Sequence, residues 1–355
     1  MKLTISPLSN VLTEALVAKI DNKTKPVGSL GLLERIALQV GRIQNTLTPE
    51  IKHPVMFTVA ADHGITDEGV SPCPTDITWQ QCLNFLNDGG GINVFTRHAG
   101  MDFYLVDAGV KFTFEPHPKF IDAKVRFGSR NFAKEPALTR AECQQAIRNG
   151  GEIVEKVFNE GCNTVGFGEM GIGNTSPASV LLSIFAKLPM DECVGAGSGL
   201  DKFGVGHKLH VLKTAVEKHG IPNDPIDVLA TYGGLEIATI AGGMLKAAEL
   251  GMVILVDGYI TTSALLAAHA INPYVVDYCI FGHQSMEPGH KKMIDFLGGE
   301  AVLKLDMRLG EGTGAALSLH IVEASLKFLN EMASFEMASV TSTTHIRGIE
   351  SNLIS

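Results

Sequence analysis

The sequence predicts an α/β protein: a Rossmann-like, mostly parallel sheet with helices on both faces, joined by a smaller helical domain built from the N- and C-terminal segments. Three observations predict it. Short apolar runs recur from residue 54 onward, each breaking into glycine and a polar residue. Longer stretches with helical periodicity lie between them, and such alternation implies a parallel sheet covered on both faces. Of the 355 residues, 45% are hydrophobic, 19% are charged and 38 are glycine, the profile of an α/β enzyme with a large core and many tight loops.

In chain order, a short helix is expected near residues 9–20. In "KPVGSLGLLERIALQVGRIQ", Leu33, Ile36, Ala37, Val40 and Ile43 recur at three- and four-residue intervals, a helix with one buried stripe, and Ser29 stands where it can cap the start. "PVMFTVAADHG", "DFYLVDAG", "NTVGFGEMGIGN", "MVILVDGY" and "YVVDYCIFGHQS" are the expected strands. Helices are expected over 140–158, 205–219, 234–250 and 262–271. Ligands bind beyond the carboxyl ends of the strands of an open α/β sheet, so Asp62, Asp107, Glu169, Asp257 and His283 are expected along one rim. Residues 51–299 form the expected large domain, and 1–50 with 300–355 the small one. The tail from Ser339, "SVTSTTHIRGIESNLIS", reads as weakly structured.

Charge and composition exclude several classes. The net charge is −9, from 29 basic against 38 acidic residues, and no basic block occurs; nucleic acid is not an expected partner. No apolar run approaches the roughly 18–20 residues of a membrane helix. The six cysteines are scattered without CxxC and the N-terminus has no secretory pattern, so reduced thiols in a cytoplasmic protein are expected. Twelve histidines form no HExxH or similar spacing, and neither a metal nor another cofactor is expected.

Several motifs carry possible chemistry. "GFGEMGIGNTSPAS" (166–179) runs from strand to loop to helix and offers backbone and hydroxyl donors to an anion, although a tight βα turn with a Ser/Thr cap would look similar. It is neither a Walker loop nor GxGxxG. "VGAGSGLDKFGVGHK" brings Lys208 near a helix start, for a phosphate or simply for solvent. "VILVDGY" has one acid, Asp257, where common phosphoribosyltransferases carry two to hold a ribose. "AADHGITDEG" could suggest a metal cluster, but reads more plainly as a polar loop with an Asp62–His63 hydrogen bond. His283, Ser285 and Glu287 lie too close along one loop for a hydrolase triad, and no GxSxG exists. "RLGEGTGAALSL" resembles a phosphate cradle opening a helix, yet it places an acid, Glu311, between two of its glycines.

Together, "KPVGSLGLLE", "ADHGITDEGVSPCP", "GFGEMGIGNTSPAS", "YGGLEIATIAGG", "LVDGYI", "HQSMEPGH" and "RLGEGTGAALSL" resemble the nicotinate-nucleotide:dimethylbenzimidazole phosphoribosyltransferase (CobT) family of cobalamin nucleotide-loop assembly. The resemblance follows nearly the whole chain in order. It implies transfer of phosphoribose from nicotinate mononucleotide to 5,6-dimethylbenzimidazole or a related base, giving nicotinate and an α-ribazole 5′-phosphate type nucleotide. It also implies a homodimer acting on small molecules without a metal. By resemblance the general base falls on Glu311 and a second catalytic acid on Glu169. Phosphate contacts fall on Gly171, Asn174, Lys208, Gly258 and Ser285; Met170 joins the substrate-binding set, and Gln81 and Cys73 fall in the base pocket. Cys73 stands where the family often has Ser or Tyr, and "GAGSG" lacks an arginine that many members carry.

The chemistry agrees with two acids of different roles. A nicotinate ring bonded to ribose is a cationic pyridinium and leaves without a general acid, unlike the leaving group of a glycosidase. The acceptor base gains positive charge as it attacks, and a carboxylate can remove its N–H proton. On this reading the glycines around Glu311 admit a flat aromatic base, while the phosphate is held near Gly171, Lys208 and Ser285. A non-catalytic nucleotide sensor on the same fold would keep the loops and lack the acids. A dinucleotide dehydrogenase is disfavoured because no GxGxxG follows the first strand.

Overall fold

The computed structural model describes residues 4–341. The tail beyond residue 341, and with it the end of the expected small domain, lies outside the described residues. Seven strands form one sheet: β1 (Val55–Ala61), β2 (Asp102–Gly109), β3 (Phe120–Asp122), β4 (Thr164–Met170), β5 (Val253–Val256), β6 (Cys279–His283) and β7 (Ala301–Leu303). Their order is β3-β2-β1-β4-β5-β6-β7 and every neighbouring pair is parallel. The chain winds outward in both directions from β1, so all seven carboxyl ends share one edge and the topological switch falls between β1 and β4.

The five expected strands are present because their apolar runs are buried on both faces; β1 is buried along its whole length. β3 and β7, three residues each, are additions that the sequence pattern does not announce. They sit at the sheet margins, mostly half-buried, and show no run to read. Part of "YVVDYCIFGH" forms a 3₁₀ turn, Pro273–Tyr278, and the strand starts only at Cys279. The helices Arg140–Asn159, Lys202–His219, Leu235–Glu249 and Tyr259–Ile271 match the expected four within a few residues. Arg140–Asn159 opens with a capping box: Glu142 N–H donates to Thr139 Oγ1 at 3.2 Å and Thr139 N–H to Glu142 Oε2 at 2.7 Å.

Ser29 does not cap the second helix. The helix is Leu32–Ile43 with Gly31 at its N-cap position and no side-chain cap. Glu34 takes that role instead, reaching back to accept Leu30 N–H at 2.9 Å while pairing with buried Lys25 at 2.8 Å. This helix, Thr13–Asp21 and Thr313–Glu331 enclose a second apolar cluster of Leu16, Val17, Ile20, Ala37, Leu38 and Leu329, separate from the main core. Among the described residues no helix is long and apolar enough to cross a membrane.

One carboxylate ties the sheet edge to the last long helix. Asp257, directly after β5, is 1% exposed. Its Oδ1 accepts Gly314 N–H at 2.7 Å and Ala315 N–H at 3.1 Å, and its Oδ2 accepts Gly312 N–H at 3.2 Å. These are otherwise orphan donors at the start of Thr313–Glu331, and an anion is favoured there by the helix dipole. Burial nonetheless holds the Asp257 carboxyl above the ordinary range, opposed by His283 and the three N–H groups. Asp257→Ala leaves buried donors unpaired and is expected to lower the unfolding free energy by about 3 kcal/mol or more. Guanidinium titration checks this; a loss under about 1 kcal/mol would mean the clamp carries little.

Candidate active site

A cleft of about 350 Å³ opens at the carboxyl ends of β4, β5 and β6. Gln81, Glu169, Met170, Gly171, Asn174, Gly258, Ser285 and Glu311 all line it. Lys208 stands one layer behind its wall, against the lining residue Thr175. Cys73 is not among the lining residues; it lies half-buried in the loop before Asp76–Leu86, its N–H donated to Ser71 Oγ at 3.3 Å.

At one end stands Glu311, 6% exposed. Gly310, Glu311 and Gly312 have φ of 82°, 65° and 103°, a left-handed turn in which a non-glycine residue costs roughly 1–2 kcal/mol. The turn is held down by its own carbonyl: Glu311 O accepts Thr58 Oγ1 at 2.7 Å. It presses so closely on β4 that a Cβ at Gly168 would stand 2.0 Å from that oxygen, so only glycine fits there. The Glu311 carboxyl is aimed by two donors, Gln81 Nε2 onto Oε1 at 3.0 Å and Ile92 N–H onto Oε2 at 3.1 Å. Burial raises its proton affinity, these donors lower it, and the charge of Asp257 raises it again. Ile77 and Leu309 supply apolar walls beside it.

Glu169, at the end of β4, occupies the middle. Burial, then the charges of Glu236 and Asp257, push its carboxyl up to about 8, against the pull of the Asn174 amide that donates to it; Glu311 adds to the rise. Glu236 is itself paired with His63 at 2.7 Å, both fully buried. The His63 ring lies under Gly171, where an added Cβ would stand 3.2 Å from its Nε2. The expected Asp62–His63 bond is therefore not made: Asp62 Oδ2 accepts Lys111 N–H at 2.7 Å and His63 turns to Glu236. Among the described residues no three His, Cys, Asp or Glu converge as a metal site.

At the far end, the loop after β4 leads into Thr175–Phe185. Lys208 Nζ donates to Thr175 Oγ1 at 2.7 Å. Burial lowers the Lys208 ammonium to about 8 and the charge of Glu287 pulls it back up. Gly258 and Ser285 face this end from β5 and β6, with exposed Arg308 at the mouth.

Sequence reasoning misses the His63–Glu236 pair, the apolar walls and the use of Asp257 as a helix clamp. Two of these have signals. Glu236 is the acid in the otherwise apolar opening of "LEIATIAGG", and Ile77 lies one helical turn before Gln81 on the same face.

A doubly wound parallel sheet whose cleft holds a buried acid at one end, a half-buried acid in the middle and a buried lysine beside a helix N-terminus at the other end defines an enzyme that handles a phosphorylated small molecule. The comparisons narrow the class. A family model described as phosphoribosyltransferase matches residues 5–340, and the chain belongs to that family. A Parabacteroides distasonis protein named nicotinate-nucleotide--dimethylbenzimidazole phosphoribosyltransferase is 49% identical over 331 residues, 93% of this chain and 96% of that one. A Dechloromonas aromatica protein of the same name is 50% identical over 333 residues, with the same shares covered, 93% and 96%. The crystal structure of CobT from Thermus thermophilus superposes with a TM-score of 0.90 at 36% identity, covering 93% of this chain and 99% of that one. Nothing in the site favours a non-catalytic sensor, because both acids are present and face the same cleft.

The environment of Glu169 predicts a pH signature. Its proton affinity rises from 4.5 to about 8 on folding, so the native state binds the extra proton. That contribution is full below pH 4.5 and is lost as pH rises through about 8. Glu169→Gln removes the loss, and its advantage in thermal midpoint over the parent protein should grow from about pH 5 to about pH 8.5; an offset independent of pH would contradict the assignment.

Proposed function

We propose that this protein transfers the phosphoribosyl group of nicotinate mononucleotide to 5,6-dimethylbenzimidazole or a related base, releasing nicotinate and forming an α-ribazole 5′-phosphate type nucleotide for the lower loop of cobalamin. The observation that carries this is Glu311: a buried carboxylate of raised proton affinity, aimed by two donors into the apolar end of the cleft of a chain whose near relatives bear that name.

One ring nitrogen of the acceptor attacks the anomeric carbon. The bond from that carbon to the pyridinium nitrogen breaks, its electron pair returns to the ring, and neutral-ringed nicotinate leaves. The acceptor's other N–H loses its proton to the Glu311 carboxylate, which passes it to solvent. Direct displacement inverts the carbon from β to α. Glu169 orients the ribose and supports positive charge at the reacting carbon. A cationic donor beside it lowers its proton affinity and favours the ionised form. Lys208 with Thr175, the loop of Gly171 and Asn174, Gly258 and the Ser285 hydroxyl hold the phosphate, and Met170 and Gln81 bound the substrates. Holding both reactants in line supplies most of the acceleration, and base catalysis a further 10² to 10⁴ in order of magnitude.

The working unit is a homodimer in the cytoplasm, acting on small molecules. Met286 and Leu309, 54% and 57% exposed beside the cleft, support a covered mouth. The separate cluster around Leu16 and Leu329 supports a small helical domain of 1–50 and 300–355 against a large one of 51–299.

Incubation with nicotinate mononucleotide and a panel of benzimidazoles, purines and phenols should release nicotinate and yield the ribotide. No release with any acceptor would overturn the function. Glu311→Gln should lower kcat at least about tenfold with nucleotide affinity kept; near-parental turnover would remove its role as base. Lys208→Ala should raise the KM for the nucleotide about tenfold and that for the base least; an unchanged nucleotide KM would take Lys208 out of the phosphate site.

A further inference from the structure

His290 is fully buried, lines no part of the cleft, and is tied directly to one residue that does, Ser285, and through Thr262 to another, Gly258. Its Nδ1 lies 2.8 Å from Ser285 N, a group that can only donate, so Nδ1 must present a lone pair. Its Nε2 lies 2.9 Å from Thr262 Oγ1. That hydroxyl lies 2.8 Å from Gly258 O, which can only accept, so the Thr262 proton goes there and its lone pair receives the Nε2 proton. Every proton in the chain Ser285, His290, Thr262, Gly258 is thereby placed, in one direction and one tautomer.

The consequence reaches the cleft through Ser285. Its N–H is engaged by His290, and its Oγ accepts Glu287 N–H at 3.3 Å. The one donor it has left to offer is its hydroxyl proton, suited to a phosphate oxygen. Gly258 opens the other side, with the His283 ring 6.0 Å from that of His290.

We propose that His290 is a positioning residue: as the neutral Nε2–H tautomer it fixes the spacing between the ends of β5 and β6 and turns the Ser285 hydroxyl toward the phosphoribosyl group. This rests on the reading of Ser285 and Gly258 as phosphate contacts. Burial and neighbouring His283 hold the imidazole down at about 3, so it stays neutral throughout the working range.

Three variants separate positioning from mere packing. His290→Gln keeps a donor near Nε2 for Thr262 and abandons Ser285; His290→Asn keeps an acceptor at the Nδ1 position and abandons Thr262; Thr262→Val removes both the acceptor of the Nε2 proton and the donor to Gly258 O, and leaves the Ser285 bond in place. His290→Gln is expected to raise the KM for nicotinate mononucleotide about tenfold, with kcat and the KM for the base within about twofold. His290→Asn should recover most of that loss and Thr262→Val should show a smaller one. Unchanged nucleotide KM, or kcat and both KM values worsening together with His290→Asn no better than His290→Gln, would overturn the proposal. Where the histidine variants do not fold, Thr262→Val and the ¹H–¹⁵N spectrum of the labelled parent decide: a proton on Nδ1, or on both nitrogens at neutral pH, overturns it. Calorimetry with the nucleotide keeps the two readings apart. A parent protein that binds nucleotide without turnover defeats the proposed function, and the variants then report on His290 through affinity.

Discussion

The three hydrogen bonds from Gly312, Gly314 and Ala315 to the Asp257 carboxylate are the interaction on which the site depends. A glycine-rich turn opening a helix is an anion-binding concavity. Here the anion is the protein's own. With Asp257 seated in it and Thr313 N–H donated to Gly310 O, the turn's donors from Gly312 to Ala315 are all engaged and none is left for a phosphate. The strand-end acid that resembles a ribose ligand likewise has both oxygens committed to the backbone. The clamp also fixes the left-handed turn that lifts Glu311 out of the backbone layer and into the cleft. Its cost is offset by those bonds and by the Thr58 contact beneath, which Gly168 makes possible.

Charge is then segregated along the cleft. Glu236, Asp257 and Glu311 gather with Glu169 around the ends of β4 and β5, and all three raise the proton affinity of Glu169. Lys208 lies at the opposite end, buried against Thr175. Glu287 also lines the cleft and offsets part of the Lys208 charge, but the net polarity still matches that of the proposed nucleotide, whose phosphate is anionic and whose leaving ring is cationic. The same polarity disfavours a second anion near Glu311, where the proposed reaction places a flat, uncharged acceptor against Ile77 and Leu309.

The sequence is most readable where burial is simple. β1 is apolar throughout because both its faces are covered, and its boundaries are visible in the pattern; β3 and β7 are not, since margin strands of three residues carry no pattern. Glu311, the loop beside Glu169 and the helix that begins at Thr175 are marked by glycines and a change of periodicity. The relations between distant segments are not. His63 and Glu236 are 173 positions apart, and nothing near either residue names the other. Ser29 has the right chemistry for a cap, but a glycine in the left-handed region at position 31 moves the helix start beyond its reach. Cys73 follows the motif order into the base pocket, whereas the loop carries it away from the lining.

Two acids of raised proton affinity face the same cleft, and their surroundings favour Glu311 over Glu169 as the proposed base. A general base must be ionised before the reaction begins. Glu169, at about 8, is largely protonated at neutral pH, is engaged by Asn174, and has Gly310 packed over its Oε1, where an added Cβ would stand 2.4 Å away. Glu311 receives the Ile92 N–H and the Gln81 amide, both of which favour its ionised form, and keeps lone pairs toward the cleft. Its apolar flank is where an aromatic ring can lie. Glu169 instead sits between Asn174 and Gly310, where the proposed reaction places the sugar. In the proposed reaction the acceptor's proton therefore goes to Glu311, and Glu169 serves the carbon that is transferred.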